Sequence, residues 1–468
     1  MKIMYLVHQF LPSAFAGTEI YTYDLAKEMS RRGNDVCIVS MPHKLDYKFP
    51  KYSYKGEFNF IKVKNKHNHL KTFKQILKDY KPDIVHIQHL QYFSPRIIEI
   101  IKAMHIPIIL HLHDYFYICK RIRLLTRDGK ICSSSRNCIG CRDWRAIWKR
   151  HIEDVDLILA NSHFTRNIYI KIGFDPKKII VNYPGIDTNR VKKIKHAKSS
   201  ILRFAFLGTV IKEKGVELLI DAFNKLDRRA SLQIWGRVDS YRLSLLKRIK
   251  SLNIEIKGEY GLSEIKDILS GVDVVIIPSI WPEPWSIVKT EALAAGLGVL
   301  ASSIGGIPEG IGDNRVLLFK SNDVNSLLEA IKSMIANRDF WKVKKTNGRY
   351  VKTIEEDAQR IEYIYTQLLV KNRELSQSKK FILNSNNIRW FPVKGGIAIH
   401  KFNGKWKWPY ILKDVGKRFW ELFTVFKSFD EIVRTISLEY NADKKEVETD
   451  IKSFMDELYK EKIILEVE

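Results

Sequence analysis

The residues best suited to chemistry lie between positions 200 and 310. Lys214-Gly215 follows an apolar run in "RFAFLGTVIKEKGVELLIDAF", with Gly208 and Thr209 at the end of that run, and Arg237 follows Gly236 in "IWGRVDS". "PSIWPEPWSIVKTEALAAG" carries Glu283 and Glu291 with seven residues between them, "SIGGIP" supplies Gly305 and Gly306, and "FAGTE" places Gly17 near the start of the chain. All sit at the ends of apolar runs, and together they meet the needs of a nucleotide diphosphate. A leaving diphosphate requires cations and helix-end N–H groups, because negative charge grows on it as its bond breaks. Lys214 and the glycine backbones provide those. Ser286 can cap a helix whose second turn holds Glu291, and a carboxylate there can accept both hydroxyls of a ribose. Glu283, in a proline-rich loop, faces the other end of such a donor. Each feature alone has a plainer reading, a solvated glutamate or a turn glycine. Their joint order carries the weight.

These residues need strand ends to hold them. From Lys2 to about Gly310, short apolar runs alternate with longer amphipathic ones. Strands are expected at "KIMYLVHQF", "DVCIVS", "DIVHIQ", "PIILHLH", "LILANS", "IIVNYP", "RFAFLG", "SLQIWG" and "DVVIIPS". Helices are expected at "TEIYTYDLAKEMSRRG", "VELLIDAFNKL" and "LLEAIKSMIAN". Continuous apolar strands alternating with helices imply parallel sheets covered on both faces. The strands are too many for one sheet, and the lysine-rich loop "NYPGIDTNRVKKIKHAKSS" divides them into two Rossmann-like halves, 1–185 and 186–372. Open α/β sheets place ligands at such strand ends. The chain is helical and charged after Ala336, and "NRELSQSKK" reads as a polar linker to a third domain at 381–468. At 468 residues, three domains of about 150 residues each are expected.

Charge is uneven. Lys and Arg outnumber Asp and Glu by 31 to 16 in residues 1–185 and by 33 to 23 in residues 186–380, against 15 to 14 in 381–468, which sums to the net +26. The first two domains thus favour anionic substrates or peripheral contact with an anionic membrane, unless their lysines are simply solvated faces. No apolar run reaches the roughly 18 residues of a membrane span. "MKIMYLVHQF" reads as a buried strand rather than a signal peptide, because His8 and Gln9 interrupt it. A cytoplasmic location is expected.

The joint set resembles the family 4 retaining glycosyltransferases of the GT-B fold. They show a glycine loop near the start, "HD" after a central strand, lysine-glycine after the first strand of the second domain, and E-x7-E. Here those are Gly17-Thr18-Glu19, His113-Asp114, Lys214-Gly215 and Glu283/Glu291, in that order. The resemblance covers residues 1 to about 370 and implies a nucleotide-diphosphate sugar as co-substrate. Lys214 would hold the diphosphate, Glu291 the ribose, Glu283 the transferred sugar, and His113 would line the site near the reacting carbon. It also implies a retaining reaction with no enzymic nucleophile and no catalytic metal. Two departures bear on donor choice: Thr209 stands where the family often has arginine, and Val238 where it often has a second glycine. Arg237 is a candidate replacement for the missing cation.

Cys119, Cys132, Cys138 and Cys141 fall within 23 residues, spaced C-x12-C-x5-C-x2-C, while Cys37 lies apart in an apolar strand. Clustered cysteines in a cytoplasmic protein suggest a structural zinc more than disulfides. Free or redox-active thiols are the alternative, with an iron–sulfur site behind both. Residues 119–150 hold ten Lys/Arg against two acids, so the lobe could shape acceptor binding or merely be a tied-down surface loop.

The tail has its own pattern. "GGIAIHKFN" and "KWKWPYIL" read as paired strands about an "FNGK" turn. Helices follow at "DVGKRFWELFTVF", at "SFDEIVRTISLEYN" with a Ser428/Glu431 capping box, and at "ADKKEVETDIKSFMDELYKEKIIL". Ile432, Val433, Ile436 and Tyr440 form one apolar face, and Val447, Ile451, Phe454, Met455 and Leu458 another. A small sheet followed by three helices is a winged-helix-like α+β module. A net charge of +1 speaks against nucleic acid as its partner. The order resembles PqqD-like peptide-recognition domains through Leu412, Gly416, Phe419 to Leu422, Glu431 to Val433, Tyr440, Asp450 and Ile463-Ile464. That resemblance implies a precursor peptide as partner, its leader added as a strand on the sheet edge against the last helix. Lys401, Lys405 and Lys407 would meet its acidic residues, and Phe454 and Leu458 its apolar ones. A generic packing module is the plainer alternative. Two acceptors stay open: a ribosomally made peptide, or a lipid-linked or polysaccharide acceptor with the tail as an assembly module.

Overall fold

The computed structural model describes the chain apart from residues 12–15, 42–56, 64–67, 127–128, 133–138, 193, 195–198, 227–228, 239–241, 311–314, 343–350, 378–379, 384–387, 394–395, 402–409, 413–415, 417, 421, 423–428, 441, 461–463 and 468. It divides into two compact units, Met1–Thr366 and Gln367–Glu468.

The larger unit holds two parallel sheets. The first has seven strands: β1 (Lys2–Val7), β2 (Asp35–Ser40), β3 (Asn59–Lys62), β4 (Ile84–Ile87), β5 (Ile108–Leu112), β6 (Leu157–Ala160) and β7 (Ile179–Val181), in the order β3-β2-β1-β4-β5-β6-β7. The second has six: β8 (Leu202–Leu207), β9 (Ala230–Trp235), β10 (Ile254–Gly258), β11 (Val274–Ile277), β12 (Gly298–Ser302) and β13 (Val316–Phe319), in the order β10-β9-β8-β11-β12-β13. Every pairing within both sheets is parallel. β4, β5, β11 and β12 are buried at every position, as strands covered by helices on both faces must be. Strand order reverses between β1 and β4 and again between β8 and β11, so each half has one switch point where the crevice opens.

β3, β10, β12 and β13 were not expected from the sequence. The first two are short strands at sheet edges: Asn59–Lys62 is at most half-buried, and Ile254–Gly258 alternates over five residues between inward and exposed positions. Gly298–Ser302 is wholly buried but short, and its run merges with the preceding helix in "ALAAGLGVLAS".

The helix Ile354–Gln377 extends into the segment read as a linker, since Glu374, Leu375 and Gln377 are good helix formers. Its first turns return to the first sheet. Asp357 is fully buried and accepts from the Tyr21 hydroxyl (2.9 Å), Asn182 Nδ2 (2.8 Å), the Gly185 N–H (2.8 Å) and Lys352 Nζ (2.6 Å). Burying a carboxyl group is costly unless its oxygens are met by hydrogen bonds, and these four donors meet them. The Gly185 N–H reaches Asp357 because a Cβ there would lie 2.3 Å from the Thr353 carbonyl.

In the smaller unit, β14 (Lys380–Leu383) pairs antiparallel with β18 (Ile464–Val467), and β15 (Ile388–Val393), β16 (Gly396–Lys401) and β17 (Tyr410–Leu412) form a three-stranded antiparallel sheet. Ile464 thus lies in a strand rather than at a helix end. The helices Phe429–Tyr440 and Lys444–Lys460 bury Ile432, Val433, Ile436, Val447, Ile451, Met455 and Leu458 with Phe419, Trp420 and Leu422. Tyr440, expected on the apolar face, is 47% exposed. The expected turn at 402–405 and the Ser428 cap lie outside the described residues.

Candidate active site

The crevice edge of the second sheet gathers most of the expected donor residues. Gly208 directly follows β8 and Gly236 directly follows β9, both with φ near 140°. A Cβ on Gly236 would lie 1.7 Å from the Gly208 carbonyl oxygen, so the two strand ends meet as bare backbone. Thr209 and Arg237 follow, both half-buried, with the Val210 N–H donating to the Arg237 carbonyl at 3.0 Å. Lys214 closes a short turn, Lys212–Lys214, and Gly215 (φ 72°) packs against the Pro278 carbonyl where any Cβ would clash at 1.9 Å.

Lys214 Nζ lies 2.8 Å from Glu283 Oε1 and 5.8 Å from the centre of the Trp281 ring. Glu283 is buried, and the Ser279 hydroxyl also donates to its Oε1. Gly305 and Gly306 lie against the backbone of Glu283 and Pro284, where Cβ atoms would come within 2.5 and 2.1 Å, and the Gly306 N–H donates to the Glu283 carbonyl at 2.7 Å. Ser286 caps the helix Ile287–Ala294, its Oγ accepting the Lys289 N–H at 3.3 Å. Glu291 stands in that helix, buried. Loss of solvent pushes its pKa up to about 7, against the pull of Arg190, with Asp24 pushing the same way as burial. A carboxyl so poised gains from any partner that donates hydrogen bonds to its ionised form.

Gly17 opens the helix Gly17–Arg31 in the first half, and a Cβ there would sit 3.4 Å from Ile287 Cδ1. The first half's glycine therefore faces the start of the helix bearing Glu291. His113 lies just past β5. It shares a 2.7 Å hydrogen bond between Nε2 and Gln88 Oε1, and Asn161 Nδ2 lies 3.3 Å from Nδ1. Burial first, and the neighbouring imidazoles of His111, His89, His86 and His8 second, hold its pKa well below the usual histidine range. His113 is therefore neutral near pH 7, able to donate or accept but not to carry charge.

Several site features escaped the sequence. Asp24 and Arg190 form a buried ion pair beside Glu291. Lys289, also buried, donates from Nζ to the Ile307 carbonyl at 2.8 Å and to the Glu309 carbonyl, with its ammonium 4.1 Å from the Trp285 ring centre. Desolvation brings its pKa down to about 7. Glu309 reaches the first half, accepting the His163 and Phe164 N–H groups at 2.7 Å each. Near β1 and β4, His8 pairs with Glu19 (3.3 Å) and His89 with Asp114 (3.0 Å). A lone lysine on the apolar face of Ile287–Ala294 was a legible signal. The others depend on residues far apart in the chain.

The remaining expected residues belong to other elements of the chain. Lys401 lies at the end of β16, and Lys405 and Lys407 fall outside the described residues. Phe454 is half-buried against Phe419, ring centres 5.3 Å apart, whereas Leu458 is fully buried and belongs to the module's core. Cys119 and Cys141 are buried, Cys132 is half-buried, and Cys138 falls outside the described residues. Among the described residues no group of three or more His, Cys, Asp and Glu could hold a metal ion, so the expected zinc site is not assembled there.

Two open parallel sheets with a lysine, glycine backbones and paired carboxylates facing one crevice define a two-domain sugar transferase. Comparison with known proteins carries this to a family. Residues 15–190 match the model of Glycosyltransferase Family 4, residues 187–353 that of Glycosyl transferases group 1, and residues 404–464 that of Coenzyme PQQ synthesis protein D (PqqD). The chain is a GT-B glycosyltransferase of the family 4 and group 1 type, carrying a C-terminal PqqD-like domain. It is 24% identical over 388 residues to an uncharacterised 42.6 kDa protein in the cps region of Klebsiella pneumoniae, covering 75% of this chain and 99% of that one. It is 28% identical over 227 residues to the alpha-maltose-1-phosphate synthase of Mycolicibacterium smegmatis, covering 42% and 58%. Among solved structures, Anabaena HepE in complex with UDP and glucose shares the fold with a TM-score of 0.60 at 16% identity, covering 78% of this chain and 99% of that one. Among the described residues, no helix is long and apolar enough to cross a membrane.

Proposed function

We propose that the protein is a retaining glycosyltransferase that moves a sugar from a nucleotide-diphosphate donor to a ribosomally made peptide, whose leader is held by residues 381–468. The observation that carries the donor half is the Lys214–Glu283 contact at 2.8 Å, beside the helix that buries Glu291. In this reading residues 1–185 form the acceptor side and residues 186–372 the donor side. Lys214 and the backbones of Gly17, Gly208, Thr209, Gly305 and Gly306 meet the diphosphate and sugar, with Arg237 close by. Glu291 accepts the ribose hydroxyls, and Glu283 orients the transferred sugar. The bond from the anomeric carbon to the phosphate oxygen breaks as the bond to the acceptor forms on the same face. The acceptor's proton passes to the departing phosphate oxygen. His113, held neutral, lines the reacting carbon without competing for that proton. The protein contributes positioning and charge stabilisation.

The peptide half rests on the PqqD match over residues 404–464. A short core peptide offers little surface for selection, and a tethered leader raises its effective concentration at the active site. The leader would add along the β15–β16–β17 sheet, its acidic residues toward Lys401, Lys405 and Lys407, its apolar ones over Phe454, with Leu458 backing them from the core. Removing residues 381–468 should leave donor hydrolysis intact while transfer to a full precursor falls steeply. Equal glycosylation by the truncated enzyme would remove the tail from peptide recognition.

The name of the Klebsiella pneumoniae relative, which matches along 99% of its length, favours a second reading. There the acceptor is a lipid-linked or polysaccharide chain at an anionic membrane surface, and the tail is an assembly module. Vesicle binding that responds to salt, with no affinity of the tail for a precursor, would select it. Structural zinc on Cys119, Cys132, Cys138 and Cys141 rests on spacing alone. Metal analysis of reduced protein tests it, one zinc per chain against a substoichiometric trace.

A further inference from the structure

Beyond β5 the first half makes a tight excursion that the donor reading leaves unused. The Arg123 N–H donates to the Arg121 carbonyl at 2.8 Å, closing a γ-turn centred on Ile122, whose φ is 70°. Such turns are rare and strained, and a β-branched residue is among the worst at that angle. Leu124, on the other side of Arg123, is also left-handed at φ 53°. The surroundings enforce this conformation. The Tyr115 N–H donates to the Ile122 carbonyl (3.2 Å), the Ile122 N–H to the Cys119 carbonyl (2.8 Å), and the Cys132 N–H to the Leu124 carbonyl (2.7 Å).

What the strained turn presents is Arg123. Its Nη1 crosses to the second half and lies 2.8 Å from Glu213 Oε1. Glu213 immediately precedes Lys214 in the Lys212–Lys214 turn, so a guanidinium is held one residue from the ammonium assigned to the diphosphate. The pair is 40% and 28% exposed. An ion pair so exposed contributes little to stability, less than two left-handed residues cost. The pair alone does not account for the strain. Lys214, meanwhile, already shares its charge with Glu283, and Arg190 is committed to Asp24. A released nucleoside diphosphate carries more negative charge than the shared ammonium of Lys214 and the nearby Arg237 together can meet.

We propose that Arg123 is a further cation for the donor diphosphate, beyond Lys214 and Arg237, delivered across the crevice by the first half and held by Glu213 until the donor enters. This rests on the donor-site reading above. A guanidinium can bond two phosphate oxygens at once, which an ammonium cannot do with fixed geometry. Because the cation comes from the acceptor side, the diphosphate is fully neutralised only when both halves address it. During transfer Arg123 takes no proton; it bears on the charge left on the phosphate oxygen as the anomeric bond breaks.

The test uses the full chain and calorimetry with UDP, ADP, GDP and the matching monophosphates. Arg123→Ala should weaken binding of the preferred diphosphate by roughly tenfold to a hundredfold. Its monophosphate should change far less, and Arg123→Lys should fall between. Glu213→Gln releases the guanidinium and should leave diphosphate binding equal or tighter. If the contact were only a brace, Arg123→Ala and Glu213→Gln would act alike. Parallel losses in those two variants, or unchanged diphosphate binding in Arg123→Ala, overturn the proposal while the donor reading stands. Wild-type protein that prefers no diphosphate over its monophosphate removes the donor reading and this cation with it.

Discussion

The two parallel sheets share one plan and differ in what they bring to the crevice. β3-β2-β1-β4 and β10-β9-β8-β11 are the same order, each reversing after its third strand. At the first switch point stand imidazoles bonded to carboxylates and to one amide: His8 to Glu19, His89 to Asp114, His113 to Gln88. At the second stand glycine backbones in close contact, a lysine and two buried glutamates. Topology therefore decides where a ligand sits, and the residues at the strand ends decide its charge. The second edge suits a diphosphate and a ribose. The first, hydrogen-bonded around an uncharged His113, suits an acceptor that must be oriented.

The largest expected effect tests whether the two edges depend on each other. Asp357 gathers Tyr21, Asn182, Gly185 and Lys352, joining the returning helix to the first half. Asp357→Ala leaves those donors and the Lys352 charge buried without an acceptor. A loss of about 3–5 kcal/mol is expected, read by denaturant unfolding followed through tryptophan fluorescence. An unchanged midpoint would mean the hub is dispensable and the halves hold together by other contacts.

Next come the donor residues themselves. Lys214→Ala and Glu291→Gln each remove one charged contact, worth about 1.5–3 kcal/mol, so donor binding and turnover should fall roughly 10- to 150-fold. Melting temperatures should barely move for Lys214→Ala, because its ammonium is partly exposed and its glutamate keeps the Ser279 hydroxyl. Near-normal donor hydrolysis in both variants would sink the roles given to them.

Much of this was legible in the sequence, and what was not has a physical cause. Lys214, Glu283, Ser286, Glu291, Gly305 and Gly306 could be placed at one sheet edge because each lies within a few residues of an apolar run whose end fixes its position. Asn59–Lys62 and Val316–Phe319 are short edge pieces in which no clean period survives, and Ile254–Gly258 alternates over only five residues at the opposite edge of the second sheet. Asp24–Arg190, Glu309 with the start of the helix His163–Ile172, and Arg123–Glu213 join residues 90 or more positions apart. Each member alone looks like an ordinary surface charge, and only folding shows its partner. Tyr440 misled because spacing marks which residues share a face, not how far the partner surface extends.

A third effect distinguishes the edges by pH. Burial raises the Glu291 pKa to about 7 from an ordinary 4.5. The folded state therefore retains a proton that the unfolded chain has lost, so this group's contribution to stability falls as pH climbs from 4.5 to about 7 and is flat above. Donor binding runs the other way. Ribose hydroxyls favour the ionised carboxylate, so affinity should rise with pH, by up to about tenfold per unit, until Glu291 is fully ionised. Asp24, also raised by burial, to about 6, and Lys289 near 7 titrate in the same crevice. Glu291→Gln isolates the limb: calorimetry in buffers of differing ionisation enthalpy should show proton release on UDP binding in the wild type and much less in the variant. Equal release in both would assign the proton elsewhere.

The smallest expected effect is the most discriminating for the first edge. If that edge orients without ionising, its central imidazoles should ignore pH near neutrality. The contacts require it. Asn161 Nδ2, a donor, faces His113 Nδ1 at 3.3 Å, so that nitrogen accepts, and Nε2 then carries the hydrogen given to Gln88 Oε1. A second proton would set N–H against N–H inside a buried site already holding His111, whose own pKa burial lowers to about 4. Neighbouring imidazoles add to the cost, since charging one raises the potential felt by the next. The ring resonances of His113 and His111 should therefore stay flat between pH 6 and 8 in a selectively labelled sample. Asn161→Asp replaces the donor with an acceptor and should bring the His113 midpoint upward into the observable range. A wild-type midpoint near 6.5 would mean that the first edge ionises with the second, and the contrast between the two switch points would be lost.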